Sequence, residues 1–230
     1  MRKLGLIGGL SWTSTARYYQ IINQAVYRAK GGRHSAPLLI ESLDFADIGR
    51  STTDEEWDHA AKVLTASARH LQDGGAAAVL ICANSMHRVY DEVQAGVDIP
   101  IIHIAEAVGR KMQNDGVQRA ALVGTRNVMT EKFYRQRLVA HGISLLPPDM
   151  ELADRIDRIV YEELTIGKVS RESERYMRSE LTDIAKQNVQ AVVLACTELE
   201  MIVDVKANVL PIYDSTAIHA RAGVDVILGD

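Results

Sequence analysis

The sequence predicts an α/β protein built from two similar halves, each a parallel sheet covered by helices. Short apolar segments alternate with longer amphipathic ones along the 230 residues. The apolar segments are uninterrupted, which is typical of strands buried on both faces. Glycines or small polar residues follow several of these segments and mark the ends of strands.

The first half begins with an apolar strand that ends in glycines. A helix follows, with apolar residues at helical spacing, and Gly74-Gly75 ends the second long helix. The predicted strands are Leu4–Gly8, Leu38–Leu43 and Ala76–Ile81, and the predicted helices are Ser14–Ala29 and Glu55–Gln72. A further predicted strand, Ile101–Ile104, lies at the expected boundary between the halves.

The second half shows the same alternation of strands and helices. Its predicted strands are Ala120–Gly124, Ile143–Leu146 and Ala191–Ala195. Its predicted helices are Ala105–Asn114, Glu131–His141, Met150–Ile166 and Arg171–Gln187. The last strand, Val209–Tyr213, and the closing helix, Ala217–Leu228, are expected to return to the first half.

Two features of the first half recur in the second half, separated from their first occurrence by nearly the same number of residues. The strand ending at Gly8 is echoed by the strand ending at Gly124, and the strand before Cys82 by the strand before Cys196. This recurrence predicts two pseudo-symmetric Rossmann-like α/β domains, residues 1–100 with 210–230 and residues 101–209. Strand carboxyl ends of both domains are expected to line an active-site cleft between them.

Composition excludes several functional classes. The formal net charge is −4 and no basic stripe is present, so we expect no nucleic-acid partner. No apolar run approaches the ~18 residues of a membrane span, and the apolar N-terminal stretch is too short for a signal peptide. We therefore predict a cytoplasmic protein without a membrane partner. Its two distant cysteines predict neither a disulfide nor a zinc site.

The segment Gly8-Gly9-Leu10-Ser11 links the first strand to the first helix. Glycines let backbone N–H groups approach an anion at a helix N-terminus, which favours a carboxylate-sized ligand. The glycines lack the spacing of a dinucleotide fingerprint. The alternative is a tight turn in which Ser11 or Thr13 caps the helix.

Small polar residues follow three other predicted strands. They are Asn84-Ser85, Gly124-Thr125 and Cys196-Thr197-Glu198. Each set alone is an ordinary helix cap, but together they predict a cradle for a carboxylate. His87, His103 and His219 also lie near strand or helix ends, where they are candidates for proton transfer or, alternatively, structural residues.

Cys196 is the candidate base or nucleophile. It ends an apolar strand at the expected start of a helix, where the helix N-terminus lowers the pKa of a thiol. Glu198 is placed to oppose this effect by repulsion or to orient a histidine. The alternative is a small buried core residue.

Five strings resemble the pyridoxal-phosphate-independent aspartate/glutamate racemase family, in order and at family-like spacing. They are residues 8–15 (GGLSWTST), 83–87 (ANSMH), 121–125 (ALVGT), 195–199 (ACTEL) and 214–220 (DSTAIHA). The resemblance implies two cysteines that face each other across the cleft, one removing the α-proton of an amino acid and the other returning a proton. It implies no cofactor and no metal, and it predicts a homodimer.

The chain departs from the family at the first of these cysteines. The second family cysteine corresponds to Cys196, but Ala83 stands at the position of the first. Cys82 lies one residue upstream, and a one-residue shift at a strand end turns its side chain towards the domain interior. The alanine is consistent with a natural branch using another proton donor, an engineered replacement, a single-thiol decarboxylase or isomerase, or an impaired amino-acid-binding form.

A second departure concerns the substrate side chain. Aspartate-specific members carry a basic residue shortly after a tyrosine; Tyr161 fits the tyrosine, but no cation follows directly. Arg50 and Lys168 are possible replacements, or else surface charges. The predicted substrate-binding residues are Gly9, Ser11, Asn84, Ser85, Thr125, Tyr161, Thr197, Glu198 and His219.

Overall fold

The structure, a computed structural model, describes residues 1–229. The chain divides into two compact units. The first unit is Met1–His103 with the chain from His219 onward, and the second is Ile104–Ile218. Within residues 1–229, no helix combines the length and apolarity that crossing a membrane requires.

The first unit contains a parallel four-stranded sheet in the order β2-β1-β3-β4. Its strands are β1 Leu4–Gly8, β2 Leu38–Ser42, β3 Ala78–Ile81 and β4 Ile101–Ile102. Its helices are α1 Trp12–Lys30, α2 Phe45–Ile48, α3 Asp54–Asp73 and α4 Tyr90–Ala95, with a 3₁₀ helix at Ser85–Val89. The last helix, α10 Ser215–Leu228, begins in the second unit and continues in the first.

Helices cover both faces of this sheet, which explains why its inner strands read as unbroken apolar runs. Leu6 and Leu80 pack with Tyr18 of α1 and Val224 of α10. The alternate strand residues pack on the opposite face against α3, through Trp57, Leu64 and Leu71 among others. Each strand therefore contributes to two cores.

The second unit contains a parallel sheet in the order β6-β5-β7-β8. Its strands are β5 Arg119–Gly124, β6 Ser144–Leu145, β7 Ala191–Ala195 and β8 Ile212–Asp214. Its helices are α5 Ile104–Asn114, α6 Arg126–Thr130, α7 Lys132–Ala140, α8 Met150–Glu162 and α9 Arg171–Ala185, with 3₁₀ helices at Leu164–Ile166 and Thr197–Met201. Since the strand order matches that of the first sheet, the prediction of two similar α/β halves is confirmed.

Several predicted boundaries are wrong. Strand β8 is hydrogen-bonded to β7, so residues 210–214 lie in the second sheet, and the first unit regains the chain only from His219. The predicted helix Glu131–His141 is preceded by a separate α6, because Glu131 itself is extended. The predicted helix Met150–Ile166 ends at Glu162, and a short 3₁₀ helix and the left-handed Gly167 follow.

Candidate active site

In the first unit, the carboxyl ends of β1 and β3 are neighbours, because Ile7 pairs with Ile81. The turn after β1 requires glycine at position 9. Gly9 has a φ of +75°, and a Cβ atom there would lie 1.9 Å from the carbonyl oxygen of Leu43. The N–H of Gly9 donates to the buried hydroxyl of Thr15, 2.8 Å away, which fixes the turn to α1.

Ser11 occupies the N-cap position of α1 but forms no capping hydrogen bond through its side chain. Its hydroxyl instead lies 2.6 Å from the hydroxyl of Thr13. Its φ of 129° is in the region that favours glycine, so the backbone is strained there. The expectation that Ser11 caps the helix through its hydroxyl is wrong.

After β3, consecutive residues turn to opposite faces of the sheet. Cys82 is fully buried and packs in the core between the sheet and α1, and this burial raises the pKa of its thiol. Ala83 is half-buried and packs on the α3 side. The prediction that Cys82 faces the domain interior is confirmed.

The sheet registers identify the counterpart of Cys196 in the first unit. Leu6 pairs with Leu80, and its equivalent Leu122 pairs with Val193. Counting three residues on from Leu80 and Val193 brings Ala83 into correspondence with Cys196. The registers therefore agree with the position that the family resemblance gives to Ala83, and not with the recurrence of cysteines, which pairs Cys82 with Cys196.

Asn84 is the most unusual polar residue of the first unit. It is 5% exposed, and neither the nitrogen nor the oxygen of its side-chain amide has a hydrogen-bond partner among residues 1–229. Burying an amide in this way costs free energy unless another molecule supplies the partners. Ser85 is half-buried beside it and begins the 3₁₀ helix.

Three buried histidines, His87, His103 and His219, lie close together in the first unit. The ring centroid of His87 lies 4.7 Å from that of His103 and 5.4 Å from that of His219. Nδ1 of His87 lies 2.8 Å from the carbonyl oxygen of Ala83, an acceptor, so this nitrogen carries a proton.

His219 was predicted among the substrate-binding residues, but it is enclosed in the core of the first unit. Its side chain is fully buried, with Nδ1 2.7 Å from the hydroxyl of Tyr18 and Nε2 2.8 Å from the carbonyl oxygen of Ile102. Burial, reinforced by His87, lowers its pKa to about 3. Because both ring nitrogens bond within the core, His219 is a structural residue of the first unit.

In the second unit, the carboxyl ends of β5 and β7 approach closely. Gly124 pairs with Ala195, and a Cβ atom at position 124 would lie 2.7 Å from the carbonyl oxygen of Ala195. Glycine thus permits the approach that puts Thr125 and Cys196 at adjacent strand ends. The Thr125 hydroxyl is buried, makes no cap to α6 and has no hydrogen-bond partner in the part of the chain that the structure describes.

Cys196 is 5% exposed, at the end of the core that contains Leu194 and Leu199. Its thiol donates to a carboxylate oxygen of Glu198, 3.2 Å away. Burial and the Glu198 carboxylate together raise the thiol pKa well above its usual value, although the N–H groups of Glu198 and Leu199 act in the opposite direction. The expectation that the helix start gives a lowered pKa is wrong, since burial and the neighbouring charge outweigh two N–H groups.

The remaining predicted residues are described by their exposure and, for Thr197, by one side-chain contact. The hydroxyl of Thr197 lies 3.3 Å from that of Thr216, and Tyr161 is half-buried. The side chains of Arg50 and Lys168 are exposed. No group of three or more His, Cys, Asp or Glu side chains in residues 1–229 is arranged to hold a metal ion.

Sequence reasoning missed two residues that shape the turns. The Thr15 hydroxyl accepts from the Gly9 N–H and donates to the Ser11 carbonyl oxygen. A usable signal was that a threonine follows the glycine of the first strand, Gly8, much as Thr130 follows Gly124. The buried carboxylate of Asp157 in α8 accepts the N–H of Arg126, 2.7 Å away, and so holds the turn after Thr125. No sequence pattern connects Asp157 to that turn.

Comparison with known proteins identifies the family. Residues 7–223 match the family described as Asp/Glu/Hydantoin racemase, and the chain belongs to it. A candidate Asp/Glu racemase from Yersinia pestis is 39% identical with a TM-score of 0.91, and the alignment covers 99% of this chain and 100% of that one. An aspartate racemase homologue from Pyrococcus horikoshii OT3 is 30% identical with a TM-score of 0.82, over 99% and 100% of the two chains.

A curated relative adds an activity to the comparison. The broad-specificity amino-acid racemase RacX from Bacillus subtilis is 21% identical over 228 residues, which are 98% of each chain. The resemblance inferred from the five sequence strings is therefore confirmed. The protein has the fold of the aspartate and glutamate racemases and belongs to a family of racemases.

Proposed function

We propose that the protein catalyses exchange and inversion at the α-carbon of an amino acid, with Cys196 as the base that removes the α-proton. The observation that carries this proposal is the environment of its sulfur. Cys196 lies at a strand carboxyl end, nearly buried, with a carboxylate oxygen of Glu198 3.2 Å from its sulfur. The thiol proton is held in this hydrogen bond at the place where the family resemblance puts a catalytic cysteine.

Asn84 of the first unit and Thr125 of the second are each proposed to bind a substrate carboxylate, as the family resemblance implies. Within residues 1–229, the side-chain amide of Asn84 and the hydroxyl of Thr125 have no hydrogen-bond partner, and a carboxylate accepts hydrogen bonds from both kinds of group. Ser85, Thr197, Ser11, Gly9 and Tyr161 are proposed as further binding residues. Aspartate and glutamate are the first substrates to test, followed by a broader panel.

Ala83 limits the proposed reaction to one thiol. Ala83, the first-unit residue equivalent to Cys196, has no side-chain group that can donate or accept a proton. The nearby Cys82 is enclosed in the core. We propose that α-proton exchange by Cys196 is fast and that net inversion is slow, since the resemblance assigns the second proton donor to position 83, where this chain has alanine.

The proposal is tested by incorporation of deuterium at Cα. Purified protein in D₂O is incubated with L- and D-enantiomers of a panel of amino acids, and exchange is followed by proton NMR. We expect exchange of at least one enantiomer, its loss in Cys196→Ala, and faster inversion in Ala83→Cys. Exchange of neither enantiomer by the wild type, across the whole panel, contradicts the racemase proposal.

The single thiol favours a second candidate, decarboxylation of a malonate-type substrate followed by protonation on one face by Cys196. Release of CO₂ from a disubstituted malonate that stops in Cys196→Ala supports this candidate.

The resemblance also predicts a cytoplasmic homodimer, and sedimentation analysis would then give about twice the chain mass of 25.4 kDa.

A further inference from the structure

The N–H group of Arg126 is held by a helix that is distant in sequence. Asp157 lies in α8, and one of its carboxylate oxygens accepts this N–H across 2.7 Å. Asp157 is only 4% exposed, in a helix whose Ile156 and Val160 belong to the core of the second unit. Burying a carboxylate costs free energy unless strong hydrogen bonds offset it, and this short, charge-assisted bond contributes to that offset.

The bond from Arg126 also changes the part that Thr125 plays. Thr125 is the N-cap residue of α6, a position where a threonine hydroxyl usually accepts an N–H of the first helical turn. The Thr125 hydroxyl makes no such bond, and Asp157 supplies an acceptor for a first-turn N–H from outside the helix. The hydroxyl is therefore not used in capping, and it is buried without a hydrogen-bond partner among residues 1–229.

The main chain is fixed on both sides of Thr125. Before it, Gly124 pairs with Ala195 in the sheet. After it, Asp157 holds the N–H of Arg126. Because the χ1 angle of a β-branched side chain is stiff, a fixed main chain also restricts the direction of the Thr125 hydroxyl. A donor that is oriented before the ligand arrives loses less conformational freedom on binding.

We propose that Asp157 is a positioning residue for substrate binding, because it holds the main chain at Arg126 and so presents the Thr125 hydroxyl to the substrate carboxylate. This inference rests on the proposed function, in which Thr125 donates a hydrogen bond to that carboxylate. Asp157 acts through Thr125 and does not itself contact the substrate. Loss of Asp157 therefore weakens binding only while residue 125 carries a hydroxyl.

A double-mutant cycle separates this role from a general structural one. Asp157→Ala removes the acceptor, and we expect the KM for the amino acid to rise about tenfold, the equivalent of one weakened hydrogen bond. In the Thr125→Val background, Asp157→Ala should raise KM by less than about twofold, because no hydroxyl remains to be positioned. A residue with only a structural role would weaken binding equally in both backgrounds.

A conservative variant tests the acceptor itself. Asp157→Asn keeps an oxygen that can accept the N–H of Arg126, so KM should stay within about threefold of the wild-type value. Asp154→Asn is the matched control, since Asp154 lies in the same helix and pairs with the guanidinium group of Arg126 rather than with its N–H. We expect it to change KM by less than about twofold, as for other exposed ion pairs.

The KM values come from Cα exchange in D₂O, with aspartate and glutamate as the first probes and then the amino acid that the wild type exchanges fastest. Urea unfolding shows whether each variant is folded. If Asp157→Ala does not fold, Asp157→Glu takes its place. It keeps the charge but moves the acceptor by about one C–C bond, ~1.5 Å, and should raise KM by a similar factor.

The other outcomes contradict the inference. Equal rises in KM in both backgrounds give Asp157 a structural role, and an unchanged KM in folded Asp157→Ala gives it none in binding. A rise in Asp157→Asn as large as in Asp157→Ala, or an equal rise in Asp154→Asn, excludes the bond to the Arg126 N–H as the cause. These results remove this inference alone, whereas absence of exchange by the wild type removes the proposed function as well.

Discussion

The hydroxyl of Tyr18 donates a hydrogen bond to Nδ1 of His219 across 2.7 Å, inside the core of the first unit. Nε2 of the same ring donates to the carbonyl oxygen of Ile102, so the neutral ring has one nitrogen of each kind and both are used. These two hydrogen bonds connect α1, α10 and Ile102 at the end of β4. A charged ring would lose the Tyr18 bond and has no access to water.

His219 should make the protein sensitive to acid. Its pKa of about 3 in the folded state is below the ordinary value of 6.5, so the unfolded chain binds more protons between these values. Stability is therefore complete above pH 6.5 and falls as the pH drops towards 3. We expect this residue to account for a loss of about 2 to 3 kcal/mol between pH 6.5 and 4.5.

Urea unfolding of the wild type and His219→Gln at both pH values measures this loss. The variant should be less stable at pH 6.5 but should lose less stability on acidification. His59→Gln, which changes an exposed histidine of α3, is the control and should behave like the wild type. Equal acid sensitivity in wild type and His219→Gln would contradict the assignment.

The turn after β1 should tolerate no side chain at position 9. Gly9→Ala places a Cβ atom against Leu43 and forces a non-glycine residue to a φ of +75°, so we expect a cost of about 3 kcal/mol or more. Gly31→Ala is the matched control. Its φ is +67° and no atom lies within 4 Å of the new Cβ, so only the backbone cost of about 1 kcal/mol applies.

Unfolding free energies from urea titration give both values. Similar losses in the two variants would mean that the clash with Leu43 is relieved at little cost. The Gly9 turn would then not be rigid.

Thr125→Val should separate stability from ligand binding. The Thr125 hydroxyl is buried without a partner, so replacing it with a methyl group breaks no hydrogen bond, and stability should stay the same or rise by up to about 1 kcal/mol. Amino-acid affinity should fall by about 10- to 100-fold, the equivalent of one hydrogen bond to a charged carboxylate.

Calorimetric titration with the best substrate of the exchange panel measures this affinity. Thr130→Val, in the same helix, is the control, because the Thr130 hydroxyl is already bound to the carbonyl oxygen of Arg126. Unchanged affinity in Thr125→Val would exclude the hydroxyl from the binding site.

The two cysteines should differ sharply in their importance for exchange. Cys82→Ala removes a buried sulfur from the core, so we expect a loss of about 1 to 2 kcal/mol of stability and an exchange rate within about twofold of the wild type. Cys196→Ala should abolish exchange. If Cys82→Ala instead abolishes exchange in a folded protein, the first-unit thiol takes part in the reaction despite its burial.

The fold was predictable because its signals are local. Strands such as Ala191–Ala195 are short, fully apolar and followed by polar residues, which distinguishes them from amphipathic helices. The place of Ile212–Asp214 was not predictable in this way, since a strand's partner depends on contacts distant in sequence. Residue type alone also paired Cys82 with Cys196, whereas the register of the strands pairs Ala83 with Cys196.

The candidate site was predictable only as a set of residue types at strand ends. Asn84, Thr125 and Cys196 were identified because polar residues after apolar strands are conspicuous. The sign of the Cys196 pKa shift was not predictable, because it depends on burial and on the side-chain direction of Glu198. His219 was misassigned since a buried histidine with two core partners and a ligand-binding histidine look alike in sequence.

The last helix has a consequence for how the chain folds during synthesis. Ala220, Val224 and Ile227 complete the core built by Leu4, Leu6 and Leu80, which emerge from the ribosome far earlier. During synthesis, this apolar surface of the first unit stays uncovered until α10 has been made. The second unit, in contrast, is one continuous stretch of chain. We therefore expect the second unit to fold first, although the ribosome makes it later.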